Sequence, residues 1–154
     1  MELNEIFSRL WSDYADQNPS VNRIHNLLTS EGEEVVNDHI AFRTLDSPVI
    51  NIDALAVPFL RNGYEPKGEY NFREKHLFAR HFEIPGDKKA PRIFISQLIL
   101  GECPDFIREF FNNALRNTDT QKLDKENLIF AGQIFSPLSW DLYEKLGNPQ
   151  RSCD

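Results

Sequence analysis

The spacing of the apolar residues changes along this chain, and that change constrains its fold. Over the first 30 residues they recur at three- and four-residue intervals, as on one face of a helix. Around residues 37–44, 75–84 and 92–100 the pattern shortens to the two-residue alternation of strands. A chain of 154 residues is long enough for one ordinary domain with its own core. We therefore expect a single α+β domain.

Helices are predicted by these apolar stripes and by the residues that start and stop them. Proline and glycine mark most of their boundaries. The predicted helices run from Leu3 to Tyr14, from Val21 to Leu28, from Ile52 to Leu60, from Pro104 to Leu115 and within residues 134–146. Pro58 lies inside the third, where a missing backbone donor favours a kink or a shorter helix.

The strand-like runs predict a small sheet. The second and third runs are joined through Pro85-Gly86-Asp87, which is typical of a hairpin, and both of their faces carry apolar residues that we expect to be covered. The segment Tyr64–Tyr70 reads as an irregular connection. The order predicts a helical N-terminus followed by a small mixed or antiparallel curved sheet with flanking helices. We expect residues 1–146 to form one domain and 147–154 a polar tail.

The net charge and the composition of the chain exclude some classes of function. A formal charge of −7 argues against broad nucleic-acid binding, which needs a basic surface. No apolar run approaches the roughly 20 residues of a membrane helix, and the acidic N-terminus does not resemble a secretory signal. We therefore expect no membrane partner and a cytoplasmic location. The two cysteines, Cys103 and Cys153, are interpreted as free thiols.

The first strand-like run carries the most distinctive side chains. His39, Ala41 and Arg43 would share one face, with about 13 Å between the backbones of His39 and Arg43. A metal on the imidazole and a guanidinium fork at the other end would suit a small diacid. The competing interpretation is that both are ordinary surface or core residues.

A second group of polar residues lies on the next run. His76, Arg80, His81 and Glu83 alternate there with apolar residues. They either focus a positive field onto an anionic small molecule or form a solvated strand face paired with nearby acids.

Four segments taken together resemble a known family. They are His39-Ile40-Ala41-Phe42-Arg43-Thr44, Gly63-Tyr64, Leu77-Phe78-Ala79-Arg80-His81-Phe82-Glu83 and Pro91-Arg92-Ile93-Phe94-Ile95-Ser96-Gln97-Leu98. In this order they are similar to the N-terminal part of the 2-oxoadipate dioxygenase/decarboxylase family, which is related to the vicinal-oxygen-chelate enzymes. The resemblance extends from about residue 3 to about residue 146.

The resemblance implies an Fe(II) enzyme that binds a 2-oxo diacid and O₂, forms a 2-hydroxy diacid with loss of CO₂, and serves lysine degradation. The family's iron is held by two histidines and one carboxylate, an arrangement that leaves coordination positions open. By resemblance, His39 matches the first histidine, which makes it a metal ligand and also a substrate-binding residue. Arg43 matches the arginine that binds a substrate carboxylate. The fold implied is half of a paired-module sheet.

The chain also departs from the family. The second histidine and the metal carboxylate come from a downstream module in the family, and nothing after Leu146 resembles it. Gln97 stands where we expect a glutamate in relatives, and an amide is a poor metal ligand. A truncated form, inactive alone and with an exposed apolar sheet face, is therefore expected.

Two alternatives stay open. A homodimer would complete the site from two chains, bringing together His39 of each, with His76 or His81 and Glu83 as further ligands. A non-catalytic module would bind small acids through Arg43 without iron.

Overall fold

The computed structural model describes residues 1–118, 124–132 and 140–147. Its helices are α1 (Leu3–Gln17), α2 (Pro19–Ser30), α3 (Ile52–Arg61), α4 (Asp105–Asn117) and α5 (Trp140–Gly147). Its strands are β1 (His39–Leu45), β2 (Glu65–Phe72), β3 (Leu77–Glu83) and β4 (Arg92–Leu98). Short 3₁₀ turns occur at Arg73–Lys75, Leu100–Glu102 and Leu128–Phe130. The predicted α+β class is confirmed.

The four strands form one mixed sheet in the order β1-β4-β3-β2. The hairpin predicted through Pro85-Gly86-Asp87 is present, with β3 and β4 antiparallel and Gly86 at a φ of +81°. β1 pairs in parallel with β4, far away in sequence, so that His39 lies beside Arg92 and Arg43 beside Ser96. This non-local pairing decides which residues become neighbours of β1.

The prediction for the segment after α3 was wrong. Residues Glu65–Phe72 form β2, an edge strand antiparallel to β3, rather than an irregular connection. Its residues are largely exposed, so no apolar alternation marks it in the sequence. Pro66 is tolerated because an edge strand has backbone groups without ladder partners, and the register shifts between Pro66 and Gly68.

Helix α3 packs on one face of the sheet and forms the centre of the core. It begins at the Asn51 cap, whose side chain accepts a hydrogen bond from the Ala54 N–H at 2.8 Å, and it continues through Pro58 to Arg61. Phe59 is fully buried, with its ring 5.8 Å from the rings of both Phe42 and Tyr64. The fully buried side chains around it include Phe82, Ile93, Ile95 and Ile6.

The two N-terminal helices differ in how much of their apolar surface is buried. α1 buries Ile6 in the core, and its Trp11 ring lies 5.2 Å from the ring of His25 on α2, so the two helices pack against each other. α2 buries none of its residues, and Ile24 and Leu27 are 57% and 62% exposed. The apolar stripe of α2 therefore faces solvent in the described part of the chain.

The predicted C-terminal elements are covered only in part. The structure places a helix at Trp140–Gly147, so Gly147 ends a helix instead of beginning the tail. Residues 134–139 of the predicted last helix and residues 148–154 of the predicted tail lie outside the described residues. Among the helices that are described, none combines the length and apolar character needed to cross a membrane.

We predict that Phe59→Ala lowers the free energy of unfolding by about 3–5 kcal/mol, because it removes a buried ring and leaves a cavity. Urea denaturation measures this. The matched control is Leu60→Ala on the same helix, where the side chain is 43% exposed, and we expect less than about 1 kcal/mol. Equal losses for the two variants would contradict the central role of Phe59.

Tyr64 gives a prediction in alkaline solution. Its hydroxyl donates to the Pro91 carbonyl oxygen at 2.8 Å, and burial, followed by the charge of Asp87, raises its pKa from 10.0 to about 12. The unfolded chain therefore releases this proton first, and the contribution to stability, complete below pH 10, is lost as the pH rises toward 12. We expect Tyr64→Phe to remove that part of the pH dependence and, through the lost hydrogen bond, about 1 kcal/mol at neutral pH. Parallel unfolding profiles for wild type and variant above pH 10 would contradict it.

Candidate functional site

The side chains of β1 alternate between the core and the outside. Ile40 and Phe42 pack against the core, whereas His39, Ala41 and Arg43 are exposed. The predicted shared face of these three residues is therefore present. Ala41, between the other two, is small and exposed, so its side chain takes up little of the space between the imidazole and the guanidinium.

The sheet face opposite α3, which we call the open face, extends this row across all four strands. Strand register makes its members neighbours, because paired residues on adjacent strands point to the same side. The open face includes His39, Ala41, Arg43, Arg92, Phe94, Ser96, Ala79, His81, Glu83, Gly68, Tyr70 and Phe72, and it continues at its Arg43 end with Leu45, Leu98 and Leu77. Ala79 and Ser96 at its centre are buried, while Tyr70 and Phe72 on the edge strand are each 40% exposed.

His39 is held by the residue before it. Its Nδ1 lies 2.6 Å from Oδ1 of Asp38, and its side chain is 62% exposed. A proton on Nδ1 donated to this carboxylate leaves Nε2 as a free lone pair, for which the described residues provide no partner. Metal-binding histidines are commonly oriented in this way by a carboxylate.

Arg43 has an unusual environment for a charged residue. It makes no hydrogen bond or ion pair with any residue that the structure describes. It lines a cavity of about 700 Å³ at the end of β1, beside Leu45, Leu77 and Leu98. A guanidinium without an internal partner is available to bind an external anion.

Comparisons with known proteins identify the family to which the chain belongs. The sequence model of the 2-oxoadipate dioxygenase/decarboxylase family matches residues 3–146. The chain belongs to this family. It is 30% identical over 123 residues to the rice 2-oxoadipate dioxygenase/decarboxylase, covering 73% of this chain and 34% of the relative. It is 31% identical to the Arabidopsis thaliana enzyme of the same name over 123 residues, covering 70% and 33%.

Solved structures share the fold. The crystal structure of rice hydroxyglutarate synthase in complex with 2-oxoadipate matches with a TM-score of 0.81 at 25% identity, over 94% of this chain and 50% of that one. A Shewanella frigidimarina protein named as a hydrolase gives a TM-score of 0.84 at 34% identity, over 95% and 57%. A glyoxalase-superfamily protein from Ralstonia eutropha gives 0.68 at 17% identity, over 90% and 53%, which shows the fold alone. The chain thus spans about a third of its curated relatives and about half of the solved ones.

The family membership and the vicinal-oxygen-chelate-like fold predicted from the sequence are confirmed. The predicted cytoplasmic location stays a prediction, since the names of the two plant relatives place those proteins in plastids.

The second polar group divides between the two faces of the sheet. His81 and Glu83 lie on the open face and line a cavity of about 550 Å³ together with His39. Their side chains already have partners: His81 Nδ1 is 2.9 Å from the Tyr70 hydroxyl, and His81 Nε2 is 3.4 Å from Glu83 Oε1. Arg92 adds a further bond, donating from Nε to Glu83 Oε1 at 2.8 Å.

His76 and Arg80 lie elsewhere. Arg80 is on the α3 side of β3, where it donates to Asp53 at 2.9 Å and to Glu69 at 2.9 and 3.1 Å. His76 was predicted on the strand but precedes it, in a left-handed conformation with a φ of 50° that ends the Arg73–Lys75 turn. Its Nδ1 is 3.3 Å from Glu102 Oε2. In this structure neither residue shares the cavity with His39.

Gly68 and Tyr70 are members of the open face that sequence reasoning missed. A Cβ on Gly68 would lie 2.9 Å from Cε1 of His81 and 3.2 Å from the Tyr70 hydroxyl oxygen. Glycine is therefore required for the His81 ring to pack against β2. The available signal was a glycine within a strand, which often marks a close approach, but β2 itself was not recognised.

Gln97 faces the other way. Its Oε1 accepts a hydrogen bond from the N–H of Ile52 at 3.1 Å, at the start of α3. The neighbouring Ser96 is the β4 residue on the open face, beside Arg43. In this chain the amide of Gln97 therefore helps to hold α3 against the sheet.

The described residues contain no group of three His, Cys, Asp or Glu side chains placed to hold a metal. Cys103 is a buried free thiol, as predicted, whereas Cys153 lies outside the described residues. Burial, followed by the charges of Asp46 and Glu102, raises the pKa of the Cys103 thiol against a smaller opposing effect of Arg108. The thiol is therefore protonated and a poor ligand at neutral pH.

The contrast between Arg43 and Arg80 gives a stability prediction. We expect Arg43→Met to change the free energy of unfolding by less than about 0.5 kcal/mol, because no hydrogen bond or ion pair to a described residue is lost. Arg80→Met breaks contacts with Asp53 and Glu69 and is expected to cost about 1–2 kcal/mol. Urea denaturation measures both, and a loss for Arg43→Met as large as that for Arg80→Met would assign Arg43 a structural role.

Proposed function

We propose that this chain provides one module of an Fe(II)-dependent enzyme that converts a 2-oxo diacid to a 2-hydroxy diacid with loss of CO₂. For 2-oxoadipate, one molecule of O₂ would be consumed, and 2-hydroxyglutarate and CO₂ would together contain all the substrate carbons and both added oxygen atoms. The family match and the placement of His39 and Arg43 on one side of β1 support this proposal.

The observation that supports the proposal most strongly is that each of these two side chains has a group free to bind a ligand. His39 is oriented by Asp38 with Nε2 left open, and Arg43 has no partner among the described residues. One group is suited to a metal and the other to a carboxylate, about 13 Å apart along the backbone. A diacid of moderate length can contact both a metal on His39 and the guanidinium of Arg43 once the two side chains extend toward it.

His39 fits an iron site as one ligand. Bound iron would supply O₂ activation and would hold the 2-oxo acid end of the substrate. Asp38 fixes the tautomer and the ring orientation of His39, and Arg43 binds the distal carboxylate and so sets the direction of the diacid. The remaining ligands would have to come from beyond the described part of this module.

A second copy of the chain is an alternative source of those ligands. The open face brings His39, His81 and Glu83 to one cavity and exposes the aromatic rings of Tyr70 and Phe72. Two such faces packed together would bury these rings and bring two sets of donors close to one another. The non-catalytic alternative, a small-acid binding module, rests on Arg43 alone.

Binding of 2-oxoadipate to the chain tests the proposal. Ligand-observed NMR at low salt is expected to detect binding to wild type, and Arg43→Lys is expected to weaken it about tenfold because the bidentate fork is lost. Lys67→Arg, at a lysine paired with Glu65 on the edge strand, is the control for altering a surface cation. Absence of binding to wild type would overturn the proposal, and an unchanged affinity in Arg43→Lys would remove Arg43 from the site.

Iron content and oxygen uptake separate the alternatives. With Fe(II) and 2-oxoadipate we expect no oxygen uptake by the chain alone. A homodimeric enzyme would instead bind stoichiometric iron, sediment as a dimer and consume oxygen, and it would lose these activities in His39→Ala. A binding module would take up the diacid equally well with or without iron and with His39→Ala.

A further inference from the structure

The cavity at the end of β1 has a charge character opposite to that of the whole chain. The protein has a formal charge of −7, yet no aspartate or glutamate lines this cavity among the described residues. The two charged side chains that line it are Arg43 and Lys75. Neither forms an ion pair with a described residue. Two cations with no internal counter-charge form a local positive potential within an acidic protein.

The other walls of the cavity are mainly apolar. They include Leu45, Leu77, Leu98, Phe111 and Leu128. An apolar chamber with two cations is complementary to a ligand that combines an anionic group with an aliphatic chain. A highly hydrated polyanion would gain little from the leucine and phenylalanine walls.

Backbone hydrogen bonds fix the turn that places Lys75 at the wall of this cavity. It lies in the Arg73–Lys75 turn, which is closed by the His76 N–H donating to the Arg73 carbonyl at 3.1 Å. The His76 carbonyl accepts from the Ile99 N–H at 2.8 Å, which ties the turn to the end of β4. Strand register sets Leu77 beside Leu98, and Leu98 beside Leu45. The turn before β3 therefore lies at the same edge of the sheet as the end of β1, where Arg43 is located.

We propose that Lys75 is a second carboxylate-binding residue, which acts with Arg43 to select 2-oxo acids that carry a distal carboxylate over those that end in a methyl group. The inference rests on the proposed function, since it assigns the 2-oxo acid end to the side of His39. The aliphatic carbons of the ligand lie along the apolar walls, and the distal carboxylate accepts hydrogen bonds from the Lys75 ammonium and the Arg43 guanidinium.

A matched pair of ligands and a matched pair of variants test this role. The ligands are 2-oxoadipate and 2-oxohexanoate, which have the same number of carbons but differ in the distal carboxylate. The variants are Lys75→Met and Arg73→Met, which remove one positive charge from the same turn, although Arg73 does not line the cavity. Ligand-observed NMR titrations at low salt give the dissociation constants.

We expect Lys75→Met to weaken 2-oxoadipate binding about five- to tenfold and to leave 2-oxohexanoate binding within about twofold, because a charge-assisted hydrogen bond is lost only with the diacid. Arg73→Met should leave both constants within about twofold. Lys75→Arg should retain most of the preference for the diacid.

The failures of the two proposals are distinguishable. If wild type binds 2-oxoadipate but Lys75→Met binds it equally well, or if Arg73→Met weakens it as much, the role of Lys75 is wrong and the proposed function stands. If wild type binds neither acid, the proposed function falls and the Lys75 inference falls with it. Thermal melts of the variants check folding, and equal losses for both ligands in a folded Lys75→Met protein would also overturn the selectivity role.

Discussion

The packing of α3 against one face of the sheet is the interaction on which the rest of this structure depends. Phe59 fills the space between the helix and β1, while the Gln97 amide and the Asn51 cap fix the start of the helix. Because this contact uses the residues of β1 that point inward, the alternate residues must point outward. The site is therefore a geometric consequence of the core.

The cationic side chains around the sheet differ in whether they have an internal partner. On the α3 side, Arg80 is neutralised by Asp53 and Glu69. On the open face, Arg92 is paired with Glu83, whereas Arg43 has no counter-charge among the described residues. Lys75, in the turn before β3, likewise forms no ion pair with a described residue. An internal ion pair would compete with an external carboxylate, so a cation without such a pair is better able to bind an external anion. His39 also keeps a group free to bind a ligand, because the carboxylate of Asp38 is hydrogen-bonded to one ring nitrogen and leaves the other nitrogen available.

Local patterns predicted much of this arrangement. The three- and four-residue spacing of apolar residues predicted the helices, and the turn residues predicted the β3–β4 hairpin. The sequence did not predict β2, because an exposed edge strand lacks an apolar face. The position of His76 was predicted wrongly, because a histidine gives no sign in the sequence that its backbone adopts a left-handed turn conformation. Gly68 and Tyr70 could not be assigned to the site before β2 was known. No local pattern distinguishes Lys75, which lies in a short turn before β3.

The sequence alone determined that His39 and Arg43 lie on one side of a strand, because a two-residue alternation is a property of the strand itself. Tertiary structure decided what surrounds them. The parallel pairing of β1 with β4 joins residues that lie 53 positions apart in the chain, such as His39 and Arg92, and no local pattern specifies such a partner. It brings His81 and Glu83 to the His39 end of the open face and Lys75 to the Arg43 end. The sequence thus contained the two candidate side chains, while the fold determined the separate cavities that Arg43 and His39 line and the residues that line each cavity with them.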